Sequence, residues 1–200
     1  MNPNDASVHL QYSWLLTYFG RHEEGLAEVR RALEIEPLSL NLNRVYGDHL
    51  LYASRYDESI AQLKKTLDLD ANFESAHNSL GYAYWMNANY ADSVEEFAKR
   101  HDIGGNQRLA AQLRESFAKG GWEGFLRMRE DEFRTSNTTS YGVTIYAAAL
   151  GEKDEAFAEL NKAFENREFG LLLLKVDPRL DPLRDDPRFQ ALVKKVGFPQ

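Results

Sequence analysis

The sequence predicts an all-α fold in which helical hairpins stack along the chain as an α-solenoid. Two observations predict it: a 34-residue period in the first half of the chain, and apolar residues at helical spacing within each period. The 200 residues also include no cysteine, so side-chain packing has to close the core without disulfides. Apolar residues make up 43% of the chain and charged residues 28%, the balance of a globular protein.

The period emerges when residues 11–37, 45–71 and 79–105 are aligned at an offset of 34. Each stretch then has a small residue in its first half, a turn residue in the middle and a second small residue beyond the turn. In that order the positions are Ser13, Gly47 and Gly81; Gly20, Ser54 and Ala88; and Gly25, Ser59 and Ser93. Small residues let two helices approach closely, and a single hairpin cannot bury its apolar face alone, so we expect neighbouring hairpins to stack.

The segments Tyr46–Leu50 and Leu80–Tyr84 carry the spacing of large and small residues found in a known repeat family. With the 34-residue period they resemble the tetratricopeptide repeat (TPR), a helix–turn–helix unit. The resemblance implies a right-handed superhelix whose first helices line a concave groove. Thr66 and Arg100 depart from the pattern, because they stand where the first unit has the small residue Ala32.

Beyond the regular repeats the register degrades, and we predict four parts in the chain. They are three regular TPR units in 1–105, an irregular helical hairpin in 106–135, a fifth TPR-like unit in 136–168 and a C-terminal capping tail in 169–200. Glycines around Trp122 predict the turn of the irregular hairpin. Ser136, Asn137, Thr138 and Thr139 offer N-caps for the fifth unit.

In the tail, three closely spaced prolines forbid one long helix. Asp186 followed by Pro187 predicts the N-cap and first turn of a last helix over Arg188–Val196, which Gly197 ends. Residues 105–199 resemble the C-terminal end of bacterial multidomain signalling proteins. In those proteins TPR units follow a winged-helix regulator, a serine/threonine kinase or a cyclase domain, so we expect this chain to be a fragment of a longer protein.

The net charge of −7 belongs to the first half of the chain. Residues 1–104 hold 9 basic and 16 acidic side chains, whereas residues 105–200 hold 15 of each. An acidic surface does not favour nucleic-acid binding, since phosphate contacts need clustered Lys and Arg. No apolar run approaches a membrane span, and the N-terminal residues do not resemble a signal peptide, so we expect a cytoplasmic protein.

No catalytic constellation stands out, so the sequence predicts a protein that is not an enzyme and has no cofactor and no metal site. His9 and His77 occupy equivalent repeat positions, which favours packing over metal ligation. Gly120-Gly121 with Trp122 favours a turn over a phosphate loop, because no strand precedes it. The aspartates of the tail favour caps and salt bridges over calcium ligation.

The candidate functional feature is a surface on the first helices of the three regular units. The TPR resemblance places peptide-binding residues at these positions: Trp14, Tyr18, Asn41, Arg44, Asp48, Tyr52, Asn78, Tyr82 and Trp85. Aromatic rings supply contact area at low entropic cost, and asparagine amides can bond an extended backbone. Two alternatives stay open: Trp14 and Trp85 would instead pack between neighbouring hairpins or under a missing N-terminal repeat, and Arg44 would pair with Asp48 at i,i+4.

The sequence therefore favours a non-catalytic scaffold that binds a protein or peptide, neutral to basic, as the regulatory part of a bacterial signalling protein. It does not favour the carboxylate clamp known in this family, because Leu10 and Trp14 replace the first pair of clamp residues. One alternative is a small-molecule sensor with its ligand between the groove and the tail. Another is self-association into a homo-oligomer through the terminal hairpin at Trp14 and Leu15.

Overall fold

A computed structural model describes residues 5–136 and 139–198, and over these residues the chain is helical with no β-strand. Consecutive helices form hairpins that pack neighbour to neighbour, which confirms the predicted all-α solenoid fold of TPR type. The α-helices are α1 (Ala6–Tyr18), α2 (His22–Ile35), α3 (Leu40–Tyr52), α4 (Tyr56–Leu69), α5 (Glu74–Met86), α6 (Tyr90–Ile103), α7 (Gln107–Thr135), α8 (Ser140–Ala149), α9 (Lys153–Glu165) and α10 (Pro187–Val196).

The chain divides into two compact units, Met1–Arg114 and Glu115–Gln200. The first contains three hairpins, α1–α2, α3–α4 and α5–α6, and α2 and α4 also pack against the first helix of the hairpin that follows them. The predicted division at residues 105, 135 and 168 stays a prediction. None of the helices in the described part of the chain is long and apolar enough to cross a membrane.

Close helix approach within each hairpin depends on the small residues of the repeat. A Cβ at Gly47 would lie 2.6 Å from Cγ of Leu63, so only glycine fits between the two helices of the second hairpin. The Ser59 hydroxyl donates to the carbonyl of Gly47 at 2.7 Å, and the equivalent Ser93 donates to Gly81 at 2.8 Å. These contacts confirm the prediction that small residues at these positions let the two helices approach closely.

The turns of the hairpins require a left-handed residue. At the three equivalent turn positions φ is 75° at Gly20, 59° at Ser54 and 59° at Ala88. Left-handed backbone stops a right-handed helix, and it is costly for any residue with a Cβ. The predicted turns are therefore confirmed, and two of the three are built from residues less suited to them than glycine.

A polar pair ties the two helices together at one repeat position. In each pair the residues are 19 apart and join the first helix to the second; the pairs and their nearest side-chain atoms are His9–Glu28 (2.6 Å), Asn43–Gln62 (3.0 Å) and His77–Glu96 (2.6 Å). All four members of the two His–Glu pairs are buried. This confirms that His9 and His77 pack within the repeat.

In the second unit, α7 contains a sharp break at Gly121, whose φ of 59° and ψ of −153° are not helical. Trp122 follows the break, is half-buried, and stacks on Phe125 with ring centroids 4.9 Å apart. Helices α8 and α9 form a hairpin joined by a left-handed turn at Gly151, and that this hairpin is a fifth TPR-like unit stays a prediction. Thr139 caps α8 by accepting from the amide of Gly142, whereas Asn137 and Thr138, also predicted as caps, lie outside the described residues.

The tail folds as two short 3-10 turns, Phe169–Leu173 and Pro178–Leu183, followed by α10. Asp186 accepts from the amide of Arg188, and Gly197 ends the helix at φ 75°, as predicted. Asp177 is fully buried and accepts hydrogen bonds from Tyr141 and Arg179, so its carboxylate joins the tail to α8.

Candidate functional site

The nine predicted surface residues lie on α1, α3 and α5, the first helices of the three hairpins. In the first unit α3 contacts both α1 and α5, so these three helices form one run of neighbours. Two contiguous groups of side chains stand on this run, one on α1 and α3 and one on α5. Tyr52 of the first group and Tyr82 of the second pack against the same apolar cluster around Leu63 and Leu80, which places the two groups side by side.

The first group centres on Trp14 of α1, which is half-buried. Its ring centroid lies 5.7 Å from that of Tyr18 and 6.1 Å from that of Tyr52 on α3. Burial raises the pKa of Tyr18 to about 12, because removal from water disfavours the phenolate. The group therefore presents apolar ring area with neutral hydroxyls, which suits contact with an uncharged segment of a partner.

Beneath Trp14 lies His49, a residue that sequence reasoning missed. The imidazole is 1% exposed, and its ring centroid lies 4.5 Å from that of Trp14 in an edge-on arrangement. Its Nε2 lies 3.1 Å from Oγ of Ser13, and that hydroxyl donates to the carbonyl of Leu10, so Nε2 carries the proton and donates. Burial lowers the pKa of His49 to about 4, and the ring is neutral at pH 7.

The repeat register indicates that the residue at position 49 is buried. Position 49 is equivalent to Ala83, and on α3 and α5 this position stands on the helix face that meets the preceding hairpin. A histidine there has to be buried and supports the tryptophan above it.

The polar part of the first group is on α3. Arg44 forms an ion pair with Asp48 one turn later and also donates to the side-chain oxygen of Asn41 at 3.0 Å. The structure therefore confirms the alternative in which Arg44 pairs with Asp48. Asn41 is exposed and its amide nitrogen points away from this bond, since its oxygen is the accepting atom.

The second group is on α5. Tyr82 is half-buried and meets the ring of Phe97 edge-on at 4.9 Å, and it lies 6.1 Å from Trp85. Trp85 itself is only 9% exposed, so it belongs mainly to the core beneath the surface. Asn78 is half-buried and stands one turn before Tyr82. The structure thus keeps four aromatic side chains partly open, and Trp85 is the fifth, largely covered.

This arrangement suits recognition by contact and hydrogen bonding. The half-buried rings give apolar area, and Asn41 and Asn78 give amides able to bond a peptide backbone. Among the residues that the structure describes, no group of three or more His, Asp or Glu side chains is placed to hold a metal ion.

The second unit contains a polar cavity of about 460 Å³ beside α8 and α9. Its cations are already engaged: Lys162 donates to Glu159 at 2.6 Å, and Arg134 bonds Glu130 and Glu155. Because carboxylates already pair with both cations, the cavity has little capacity left to hold an anion.

Comparison with known proteins agrees with the repeat register. Residues 47–87, which extend from the middle of α3 to the end of α5, match the family of the TPR repeat. No curated protein matches the chain. The match and the consecutive helical hairpins together support the prediction of a TPR protein.

Proposed function

We propose that the surface of α1, α3 and α5 binds an extended segment of a protein partner. TPR repeats generally mediate protein–protein interaction or scaffolding, and they are typically not catalytic. The observation that carries the proposal is the first aromatic group: Trp14, Tyr18 and Tyr52 from two helices stay half-buried, and α3 also has the exposed amide of Asn41. Partly open aromatic rings with adjacent amides are the composition enriched in protein-binding surfaces.

The charge of the first half of the chain supports a neutral or basic partner. Residues 1–104 carry 9 basic and 16 acidic side chains, and Arg44, the one cation among the nine surface residues, is held by Asp48. An acidic partner, nucleic acid or an anionic membrane surface would meet net repulsion there.

The proposal extends to the place of the chain in a larger protein. The resemblance of residues 105–199 to the ends of bacterial signalling proteins supports a regulatory or scaffolding part of such a protein, located in the cytoplasm. The coding sequence upstream of Met1 tests this: a winged-helix, kinase or cyclase domain in the same reading frame is expected, and a stop codon close upstream would contradict it.

Binding is tested by selecting peptides from a phage-displayed random library on the immobilised chain and measuring their affinity by calorimetry. The double variant Asn41→Ala/Asn78→Ala removes the two amides without touching the aromatic core. We expect the selected peptides to lose at least about tenfold in affinity, since each lost hydrogen bond is worth roughly 1 kcal/mol. The melting temperature should stay close to that of the wild type, because Asn41 is exposed and Asn78 half-buried.

The matched control is Gln107→Ala/Asn161→Ala, which removes two exposed amides that belong to α7 and α9 and not to α1, α3 or α5. It should bind the peptides as the wild type does. Equal affinities for all three proteins would show that the peptides bind elsewhere and would overturn the proposed surface. Trp85→Ala is unsuitable for this test, because truncating a buried tryptophan costs about 3–5 kcal/mol of stability.

A further inference from the structure

One position of the repeat register places a carboxylate between two aromatic rings. Trp14, Asp48 and Tyr82 follow one another at 34-residue spacing, so they occupy the same position of α1, α3 and α5. Helix α3 contacts both α1 and α5, and the ring centroid of Trp14 lies 6.1 Å from that of Tyr52, one turn beyond Asp48. The three side chains therefore form a row across the first helices with the acid in the middle, which we call the Asp48 row.

The Asp48 row is open enough to be reached by a ligand. Trp14 and Tyr82 are half-buried, and the side chain of Asp48 is 14% exposed. Arg44 pairs with Asp48 through one terminal nitrogen and bonds Asn41 through the other. A carboxylate accepts up to about four hydrogen bonds at its two oxygens, so Asp48 can hold Arg44 and a second cation together. Its partial burial strengthens the attraction, because less water screens the charge.

The chemistry of the row suits a lysine or arginine side chain. The faces of tryptophan and tyrosine rings attract cations, and the apolar stem of either side chain can lie against a ring while its charged end reaches a carboxylate. Asp48 is the single acid among the nine predicted surface residues. The charge around it acts in the same direction, since residues 1–104 carry 16 acidic and 9 basic side chains.

The spacing of the first helices also sets the spacing of the side chains that a ligand presents to them. Packed helices lie about 8–10 Å apart. An extended chain in the polyproline II conformation has three residues per turn and rises about 3.1 Å per residue, so every third side chain points the same way at intervals of about 9 Å. Successive members of the Asp48 row would therefore meet every third residue of such a ligand.

We propose that the bound segment places a lysine or arginine against Asp48 and an apolar side chain three residues away on each side, against Trp14 and Tyr82. This inference rests on the proposed binding of an extended segment to α1, α3 and α5, and it adds the sequence pattern of the partner. Because the two flanks of the Asp48 row are alike, the pattern is the same for either direction of the bound chain.

The test compares a peptide selected on the wild-type chain with a copy in which methionine replaces the central lysine. We expect the wild type to bind the lysine peptide at least about tenfold more tightly, measured by calorimetry. In Asp48→Asn this preference should fall to about one, since asparagine keeps the shape of the side chain and removes its charge. The preference is a ratio within one protein, so a general loss of binding or stability cancels.

Two further variants separate a local contact from a general effect of charge. Asp68→Asn is the matched control, because it removes the same charge from an exposed residue of α4, and it should keep the preference for lysine. Arg44→Gln should increase the preference, since Arg44 would share the carboxylate with the ligand. Equal preference in the wild type and Asp48→Asn would overturn the proposal. Selected peptides that carry an acid in place of the cation and weaken in Arg44→Gln would also overturn it.

These outcomes can be told apart from a failure of the proposed function. Peptides that bind Asn41→Ala/Asn78→Ala as tightly as the wild type do not use this surface, which would overturn both proposals. Peptides that weaken in this double variant but keep their preference for lysine in Asp48→Asn would leave the surface in place and overturn the Asp48 row alone.

Discussion

At the scale of single residues, the buried histidine under Trp14 is the most sensitive point of the first unit. Burial is the largest cause of its low pKa, the hydrogen bonds to Ser13 and Val45 oppose it, and the charges of His22 and Arg44 add to it. The folded pKa of about 4 lies below the value near 6.5 of an exposed histidine. The unfolded chain therefore takes up the proton first as the pH falls.

It follows that stability should fall as the pH drops from 6.5 towards 4. We expect His49→Leu to remove this dependence: between pH 7 and pH 4.5 its free energy of unfolding should fall by about 2 kcal/mol less than that of the wild type. Leucine is close in volume to the buried imidazole and has no group that titrates, and the hydrogen bond to Ser13 that it removes is lost at both pH values. Urea denaturation at the two pH values measures the difference.

Other histidines also contribute to the pH dependence of stability. Burial also lowers the pKa of His22, which acts in the same direction. Burial opposes the charge of His77, but its hydrogen bonds to the Glu96 carboxylate and the Ala71 carbonyl, with the charge of Glu96, together outweigh burial and raise the pKa. The contribution of His77 to stability is therefore lost only as the pH rises above 6.5. If the wild type and His49→Leu showed the same dependence between pH 4.5 and 7, His49 would not be the buried neutral group described here.

At the scale of the helices, the left-handed turns lower the free energy of unfolding, and a substitution to glycine can recover part of that loss. Ala88 has φ 59° between α5 and α6, whereas the equivalent Gly20 and the turn of the fifth repeat at Gly151 use glycine. A left-handed residue with a Cβ costs roughly 1–2 kcal/mol, which exceeds the entropy that glycine loses on folding.

Ala88→Gly should therefore raise the free energy of unfolding by about 0.5–1 kcal/mol. The same substitution at Ala61, an exposed residue in the middle of α4, should lower it by about 0.5–1 kcal/mol. Denaturant unfolding of the two variants compares the signs directly. A loss of stability in both would mean that Ala88 is not held in the left-handed region.

The order of the elements could be predicted from the sequence because the 34-residue register repeats small residues where helices touch. Gly47 and Ser59 occupy fixed points of the period, and the structure gives each the contact its size implies. The exposure of individual side chains on the first helices could be predicted less well. Trp85 and Trp14 both fit the pattern of the surface, yet one is 9% exposed and the other half-buried.

Periodicity alone could not separate them, because contacts with other helices help decide how much of each ring is covered. Trp14 rests on His49 of the next hairpin, and Tyr82, which lies beside Trp85, meets Phe97 of α6. His49 belongs to no cluster of potential ligands, so no sequence motif marks this isolated buried imidazole.

At the scale of the whole molecule, we propose that the first unit binds the partner. That unit has 11 basic and 16 acidic side chains and two of the three tryptophans, Trp14 and Trp85, whereas Trp122 lies in the second unit after the break in α7. The three tryptophans are therefore natural reporters of where a partner binds.

The most direct test is fluorine NMR of the chain labelled with fluorotryptophan and titrated with a peptide selected on it. We predict that the resonances of Trp14 and Trp85 shift, because the peptide contacts the rings around them, while that of Trp122 stays in place. Assignment uses one Trp→Phe variant for each residue. A shift of Trp122 alone would place binding in the second unit and contradict the central claim.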